Sequence, residues 1–258
     1  MAVPYVIMLM TEEWRMVAIF TGIPALSLLI IIISIFPESQ KWKQGRGHIN
    51  ASCSSSTPWK VYYHKELFLG ILLAYANNSI DPCLFYGPSI LISAGGDLDT
   101  GNWAGLSSAL LSFAAILVSV PIIARYSRRS VLLTTFGVVV AGYFVTAFTF
   151  AYLPSSSVTT VLIPTFAVLV AAHQCGPGVL FILIVNELFT ETSSRGRSIG
   201  MTTACMSLFS VAINGTLLST LATFGNSFSF AMYGLSFLAA WIVFYAELPE
   251  TKTRVIAG

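Results

Sequence analysis

Charged residues are scarce in this sequence of 258 residues, in which Asp, Glu, Lys and Arg together make up 9%. In soluble globular domains they make up about a quarter. Hydrophobic residues account for 55% of the chain, and its mean hydropathy is +0.79. This composition excludes an ordinary soluble domain and predicts that the protein lies in a lipid bilayer.

The chain also lacks the patterns that mark several other classes of protein. Its four cysteines stand singly, a spacing that supports neither a disulfide framework nor a zinc site. The sequence contains no glycine-rich phosphate loop and no nucleophile beside a base, so it predicts neither an enzyme nor a cofactor. Its basic residues lie between apolar runs and leave no patch for nucleic acid.

Long apolar runs are present instead, and seven of them are long enough to cross a bilayer. Two of the longest stretches are divided by turn residues, at 154–157 and at 224–227. A shorter run at residues 2–10 has the length of part of a crossing. We therefore expect an all-α membrane protein. The predicted crossings are residues 14–36, 67–95 and 103–124, two within 130–187, and two within 198–246.

The basic residues predict the orientation of these crossings. Twelve of the thirteen lie in alternate loops or in the tail, and Arg15 is the exception. Basic residues collect in cytoplasmic loops, so we expect the linker at 37–66 and the C-terminus to be cytoplasmic. Because one missed crossing would scramble this sorting, the charge pattern independently supports the number of crossings.

The run from Glu66 to Gly95 is interrupted in its middle. At about 1.5 Å per residue, Asp81 lies roughly 20 Å from either end, near the bilayer midplane. Helix breakers at that depth are tolerated where they are buried in protein or line a wet cavity, and broken helices of this kind form the binding sites of secondary transporters. The interruption consists of Asn77, Asn78, Ser79, Asp81 and Pro82.

Five loop motifs, in their order and spacing, resemble the sugar porters of the major facilitator superfamily, which include the facilitative glucose transporters. The resemblance implies the C-terminal six-helix bundle of that fold together with the preceding helix 6. The motifs are PESQKW at 37–42, RYSRR at 125–129, GPG at 176–178 followed by NELF at 186–189, RGRSIG at 195–200, and PETKTR at 249–254.

This resemblance also implies a division into domains. Residues 1–36 would be a remnant of the N-terminal half, containing the end of helix 5 and helix 6. Residues 37–66 would be the cytoplasmic linker, 67–248 the six-helix bundle and 249–258 the tail. Two bundles form the transport site between them in this superfamily. We therefore expect the missing half to come in cis from a longer form or in trans from a second copy.

The resemblance further implies a set of substrate-binding positions, but most of the family's hexose ligands are replaced. Tyr75 and Ala76 stand where a glutamine pair is typical, and Asp81 and Ser112 stand where asparagines are typical. The pattern thus supports a carrier fold more strongly than it supports glucose as the substrate. The expected substrate-binding residues are Tyr75, Asp81, Phe85, Tyr86, Ser112, Gln174, Gly176, Pro177 and Ser210.

Several of these residues have two interpretations. A carboxylate at the bilayer centre costs about 2.5 to 3.5 kcal/mol, so one interpretation is that Asp81 is a proton-coupling group or a ligand for a cationic or polyol substrate. The other, which does not exclude the first, is that Asp81 caps a second half-helix that starts with Pro82. His173, Gln174 and Cys175 either line the cavity or make interhelical hydrogen bonds. Phe85 and Tyr86 either form a gate or pack.

Charged residues at the basic ends of the helices are implied to form a cytoplasmic gate of ion pairs. The alternative is that the arginines are topology anchors. Ala124 and Ser127 replace the acid and the glycine usual in the family motif, so we expect a thinner network than the family pattern implies. The gate residues are Glu38, Arg125, Arg128, Arg129, Glu187, Arg195 and Glu250.

Together these features predict transport of a small polar solute, a sugar or a related polyol, by alternating access in the plasma membrane. The transport would be facilitated or coupled to protons, and the expected partners are the lipid bilayer, the solute and a proton. The alternatives are a non-transporting half-carrier that acts as a membrane subunit or sensor through dimerisation, and a carrier for organic ions.

Overall fold

The computed structural model describes residues 26–27, 64–189 and 192–250. Within these ranges six helical segments are long and apolar enough to cross a membrane. The all-α membrane fold and the six crossings expected after residue 66 are therefore confirmed. The fragment at 2–10, the crossing at 14–36 apart from a helical Leu26–Ser27, most of the linker, and the tail from residue 251 lie outside the described residues.

Eight α-helices and one 3₁₀ turn build the six crossings of the described ranges. The first crossing consists of α1, the 3₁₀ turn and α2, and the fourth consists of α5 and α6, so two of the six are discontinuous. The helices are α1 (His64–Asn77), α2 (Asp81–Ser93), α3 (Leu98–Arg125), α4 (Arg128–Tyr152), α5 (Ser155–Cys175), α6 (Pro177–Leu188), α7 (Thr192–Phe224) and α8 (Asn226–Glu247), and the 3₁₀ turn is Asn78–Ile80.

The helix ends follow local chemistry. Ser127 precedes α4, and its hydroxyl accepts a hydrogen bond from the Ser130 amide at 3.2 Å, as an N-cap residue does. Pro154 stands directly before α5, where its fixed φ suits a helix start. Gly225 separates α7 from α8 with φ +78, a conformation that favours glycine. Both predicted turns, at 154–157 and 224–227, are thus confirmed.

Aromatic packing between α4 and α8 forms the centre of the bundle. Tyr143 and Phe237 are buried, with ring centroids 5.1 Å apart in an edge-to-face arrangement. Phe136 packs against Phe244 in the same manner at 6.0 Å. Such pairs contribute about 0.5 to 1.5 kcal/mol each beyond the burial of their area. This core holds α4 and α8 together and supports the discontinuous helices packed beside it.

The third and seventh helices contribute least to the interior. α3 exposes Phe113 and α7 exposes Val211, at 66% and 72% of their surfaces. Exposed apolar side chains on helices of this length are suited to contact with hydrocarbon or with further protein.

Candidate functional site

Asparagine side chains at the interruption between α1 and α2 form hydrogen bonds to α7. Asn78 is buried, and its amide donates to the carbonyl of Ala74 at 3.0 Å and to that of Met206 at 2.8 Å. The amide of Asn77 donates to the Met206 sulfur at 3.3 Å. Polar groups at this depth require partners inside the protein, and α7 supplies them.

The same interruption contacts α4 and α5 through Ser79. The Ser79 hydroxyl lies 3.5 Å from Nδ1 of His173 on α5, and both residues are buried. The Tyr143 hydroxyl, from α4, donates to the Ser79 carbonyl at 2.5 Å. Ser79 therefore joins the break to two further helices, and the interhelical interpretation of His173 is confirmed.

Asp81 does not cap α2, so the capping interpretation is wrong. Ile80 is the N-cap residue and makes no side-chain cap, Asp81 is the first residue of α2, and Pro82 is the second. The physical reason is that the 3₁₀ turn and Ile80 keep helical backbone angles, so Asp81 has the backbone of a helical residue and its carboxylate bonds to α7. The backbone therefore continues from α1 to α2 without leaving helical angles.

The Asp81 carboxylate faces α7 instead. Its Oδ2 accepts hydrogen bonds from the Ser210 hydroxyl at 2.7 Å and from the Asn214 amide at 3.0 Å. The Asn214 amide also lies 2.9 Å from the Ser210 carbonyl, and the Tyr86 hydroxyl donates to the Asn214 carbonyl at 3.2 Å. We name these four residues, Asp81, Tyr86, Ser210 and Asn214, the Asp81 cluster.

Asn214 is the member of the cluster that the sequence did not predict, since Ser210 is the expected substrate-binding residue on this helix. The available signal was spacing, since Asn214 follows Ser210 by one helical turn and residues four apart share a face. Its Oδ1 is a buried acceptor without a hydrogen-bond partner among the described residues. The cluster thus combines hydroxyl, amide and carboxylate groups, which suit a solute whose hydroxyls both donate and accept.

Six of the predicted substrate-binding residues lie outside this cluster, and three of them are Tyr75, Ser112 and Phe85. The Tyr75 hydroxyl pairs with the Ser236 hydroxyl at 2.6 Å, and its ring packs 5.3 Å from Phe209. The Ser112 hydroxyl donates to the Ser108 carbonyl within its own helix at 2.8 Å. Phe85, beside Tyr86 in the sequence, exposes 56% of its surface.

The remaining predicted residues form the break between α5 and α6. Gly176 ends α5, and Pro177 is the buried first residue of α6. A Cβ at Gly176 would overlap the Thr135 side chain of α4, so glycine permits this close approach. Gln174 is partly buried beside the break, and the Cys175 sulfur lies 3.5 Å from the Ala115 carbonyl of α3, which confirms an interhelical contact for Cys175.

At the basic ends of the helices, two of the predicted gate residues form an ion pair. Arg128 at the start of α4 pairs with Glu187 near the end of α6, and their side chains are only 17% and 15% exposed. Arg129 donates to the Tyr245 carbonyl at 2.7 Å. Arg125 and Arg195 are exposed, and Glu38 lies outside the described residues.

Ser127 contributes a hydrogen bond to this network, whereas the expectation of a thinner set of ion pairs stays a prediction. The Ser127 hydroxyl donates to Oε2 of Glu250, beyond the end of α8, and also accepts the capping bond of α4. A glycine has no such group, so the replacement adds a link between the start of α4 and the residues that follow α8.

No group of three or more His, Cys, Asp or Glu residues that could hold a metal ion occurs in the part of the chain that the structure describes. The Asp81 cluster offers one carboxylate, two hydroxyls and one amide side chain for hydrogen bonding.

Known proteins resemble the chain in sequence and in fold. The family model described as "Sugar (and other) transporter" matches residues 50–257. The major myo-inositol transporter IolT of Bacillus subtilis (strain 168) is 22% identical, over 94% of this chain and 58% of the relative. Polyol transporter 5 of Arabidopsis thaliana is 26% identical, over 73% of this chain and 36% of the relative.

A crystal structure of D-xylose-proton symporter has the same fold, with a TM-score of 0.73 and 20% identity over 93% of this chain and 56% of the other. The chain thus spans about half the length of the relatives that it covers best. Its six crossings make it an integral, multi-pass membrane protein. The chain belongs to the sugar (and other) transporter family, the sugar porters of the major facilitator superfamily, and has the fold of their C-terminal six-helix bundle.

Proposed function

We propose that the chain forms one wall of a carrier that moves a sugar or a related polyol across the membrane by alternating access. The observation that carries the proposal is the Asp81 cluster, which joins a mid-membrane helix break to α7 through a carboxylate, a hydroxyl and an amide. The names of the myo-inositol and polyol transporters that it resembles support this class of solute.

The alternative of an organic cation has weaker support. A cation would gain from the charge of Asp81, but the carboxylate already accepts two hydrogen bonds on one oxygen from neutral donors. The unpaired Oδ1 of Asn214 adds a further neutral acceptor to the cluster. Neutral donors and acceptors in this number suit hydroxyl groups better than a single charge.

We further propose that Asp81 couples transport to protons. The hydrogen-bond donors on its carboxylate are neutral, and a carboxylate in this position marks proton relays in other membrane proteins. The D-xylose-proton symporter, whose fold the chain shares, is proton-coupled by its name.

The test measures both binding and uptake by the reconstituted chain, with Asp81→Asn and, as the matched control, Asp99→Asn at the exposed start of α3. We expect a polyol such as myo-inositol to raise the melting temperature of the chain and of Asp99→Asn. We expect an inward proton gradient to increase uptake by both, and Asp81→Asn to lose this response.

The outcomes separate the two claims. If no sugar or polyol raises the melting temperature of the reconstituted chain, the proposed function is wrong. Uptake above the level of empty vesicles would show that two copies complete the cleft. If uptake occurs at the same rate at acidic and alkaline external pH, the function stands and the coupling is wrong.

The remaining features of the carrier extend the same proposal. We place it in the plasma membrane with the linker and the tail in the cytoplasm, and we infer that Arg128, Glu187 and Glu250 hold the cytoplasmic side closed in one state. The second wall of the cleft would come from a longer form of the chain or from a second copy.

A further inference from the structure

A groove lies on the outer surface of the bundle between α4 and α8, away from the Asp81 cluster. Its α4 wall consists of residues that recur every three or four positions and so share one helix face. Its α8 wall consists of Trp241 and Tyr245, whose rings stack with centroids 5.7 Å apart. The α4 wall is formed by Ser130, Leu133, Thr134, Gly137, Val138 and Ala141.

Two of the polar side chains of this groove, Trp241 and Thr134, are already paired within the protein. The Trp241 indole N–H donates to the Leu133 carbonyl at 2.8 Å, and the Thr134 hydroxyl donates to the Ser130 carbonyl at 2.9 Å. An occupant would meet a surface that is mostly hydrocarbon and aromatic. The Trp241 indole lies close to Gly137, where an added Cβ would stand 3.2 Å from the indole nitrogen.

One end of the groove carries a positive charge. Arg129 precedes Ser130, and its guanidinium donates to the carbonyl of Tyr245, so the charge lies where the groove begins. Arg129 takes part in neither ion pair of the described residues, which join Lys65 to Glu247 and Arg128 to Glu187. A guanidinium has five N–H donors and pairs well with phosphate oxygens.

The length of the groove matches one leaflet of a bilayer. From Ser130 to Ala141 the helix rises about 16 Å, and half of the hydrocarbon core is about 15 Å. The groove starts at the first turn of α4, beside Arg129, and runs along the helix towards the bilayer centre.

We propose that this groove binds one anionic phospholipid, with the phosphate on Arg129 and an acyl chain along the face between Ser130 and Ala141. The charge at one end and the apolar lining over the length of one leaflet fit this class of molecule. The proposal is independent of the transported solute.

Trp241 provides the readout, since bromine atoms on an acyl chain quench an indole in contact with it. In the full chain, Trp14, Trp42, Trp59 and Trp103 are replaced by phenylalanine, which leaves Trp241 as the reporter. The chain is reconstituted with brominated phosphatidylglycerol or brominated phosphatidylcholine, diluted in the unbrominated lipids. We expect half-maximal quenching at an about fivefold lower fraction of the anionic lipid, the factor that one arginine near a membrane contributes.

Four variants test the assignment of the charged end and of the apolar lining. Arg129→Gln should abolish the preference for the anionic lipid, whereas Arg125→Gln, which removes an exposed arginine at the end of α3, should preserve it. Ala141→Phe should reduce quenching by both lipids, because it fills the far end of the groove. An indole placed outside the groove by Trp241→Phe/Ile242→Trp should be quenched equally by both lipids.

The proposal would be overturned if the two lipids quenched Trp241 equally, or if the preference survived Arg129→Gln. Either result would show that the groove only contacts the surrounding lipid without selecting an anionic one. Protection of Trp241 from both lipids would also overturn it and would indicate that a second copy of the chain covers the groove. Circular dichroism of each variant shows whether the helices remain folded.

Discussion

At the scale of single residues, the two ion pairs of the described chain differ in how far water reaches them. Arg128 and Glu187 are 17% and 15% exposed, whereas Lys65 and Glu247 are 63% and 50% exposed. Water screens the second pair, and exposed pairs contribute about 0 to 1 kcal/mol. A buried charge that loses its partner is costly, because it keeps its desolvation penalty without compensation.

This difference predicts unequal effects of the same substitution. Glu187→Lys should lower the free energy of unfolding by about 3 to 5 kcal/mol, because it places a second cation beside Arg128. Glu247→Lys should lower it by less than about 1 kcal/mol. The swap Arg128→Glu/Glu187→Arg should recover most of the loss. Thermal and denaturant unfolding in detergent measure all three, and equal losses for the two single variants would contradict the burial argument.

The sequence predicted the residues of the interruption better than their partners. Asn78, Ser79 and Asp81 stand out as polar groups in an apolar run, so the physics of the bilayer identifies them. Asn214 lies 133 positions from Asp81, and its role depends on how α7 is rotated against α2. That rotation follows from side-chain packing along the whole bundle, which a local pattern does not contain.

At the scale of helices, the interruption at 77–82 was predicted from its polar and helix-breaking residues, but the break at Gly176 and the geometry of both breaks were not. The break at Asn78–Ile80 is a 3₁₀ turn with continued helical angles, and such a turn in the middle of a helix often marks a hinge. The break at Gly176 has φ −125 and ψ −102 and interrupts the helical angles. Both breaks retain backbone hydrogen bonds along the chain, including one from the Gly176 amide to the His173 carbonyl at 3.1 Å. The second break also depends on close packing of Gly176 against α4.

This dependence predicts that Gly176→Ala destabilises the bundle. The added methyl would overlap the Thr135 side chain, and overpacking of this kind costs about 1 to 3 kcal/mol. Thr135→Gly should relieve part of the loss in the double variant, although glycine inside α4 costs about 1 kcal/mol itself. Melting temperatures in detergent measure the effect.

Gly215 on α7 provides the matched control, because nothing lies within 4 Å of a Cβ added there. Gly215→Ala should leave stability unchanged or raise it by up to about 1 kcal/mol, since alanine favours the helix. If Gly176→Ala proved as harmless as Gly215→Ala, the close approach of α5 to α4 would not require glycine.

At the scale of the whole molecule, the order of the six crossings brings the basic clusters to one end. Arg125 at the end of α3 and Arg128 and Arg129 at the start of α4 flank the short turn between these helices, and the opposite end of α3 carries Asp97 and Asp99. α3 has 28 residues and is about 42 Å long, enough to place these two groups on opposite sides of a bilayer. The positive-inside rule then predicts which side each occupies.

Cysteine labelling tests this orientation on one helix. In a background without the four native cysteines, Tyr126→Cys and Asp99→Cys place a thiol at either end of α3, at exposed positions. A membrane-impermeant maleimide added to intact cells should label Asp99→Cys at once and Tyr126→Cys only after permeabilisation, because the arginine-rich end faces the cytoplasm. The reverse pattern would place Arg128, Glu187 and Glu250 outside the cell and exclude them as a cytoplasmic gate. The Asp81 cluster lies within the bundle, so its proposed role holds in either orientation.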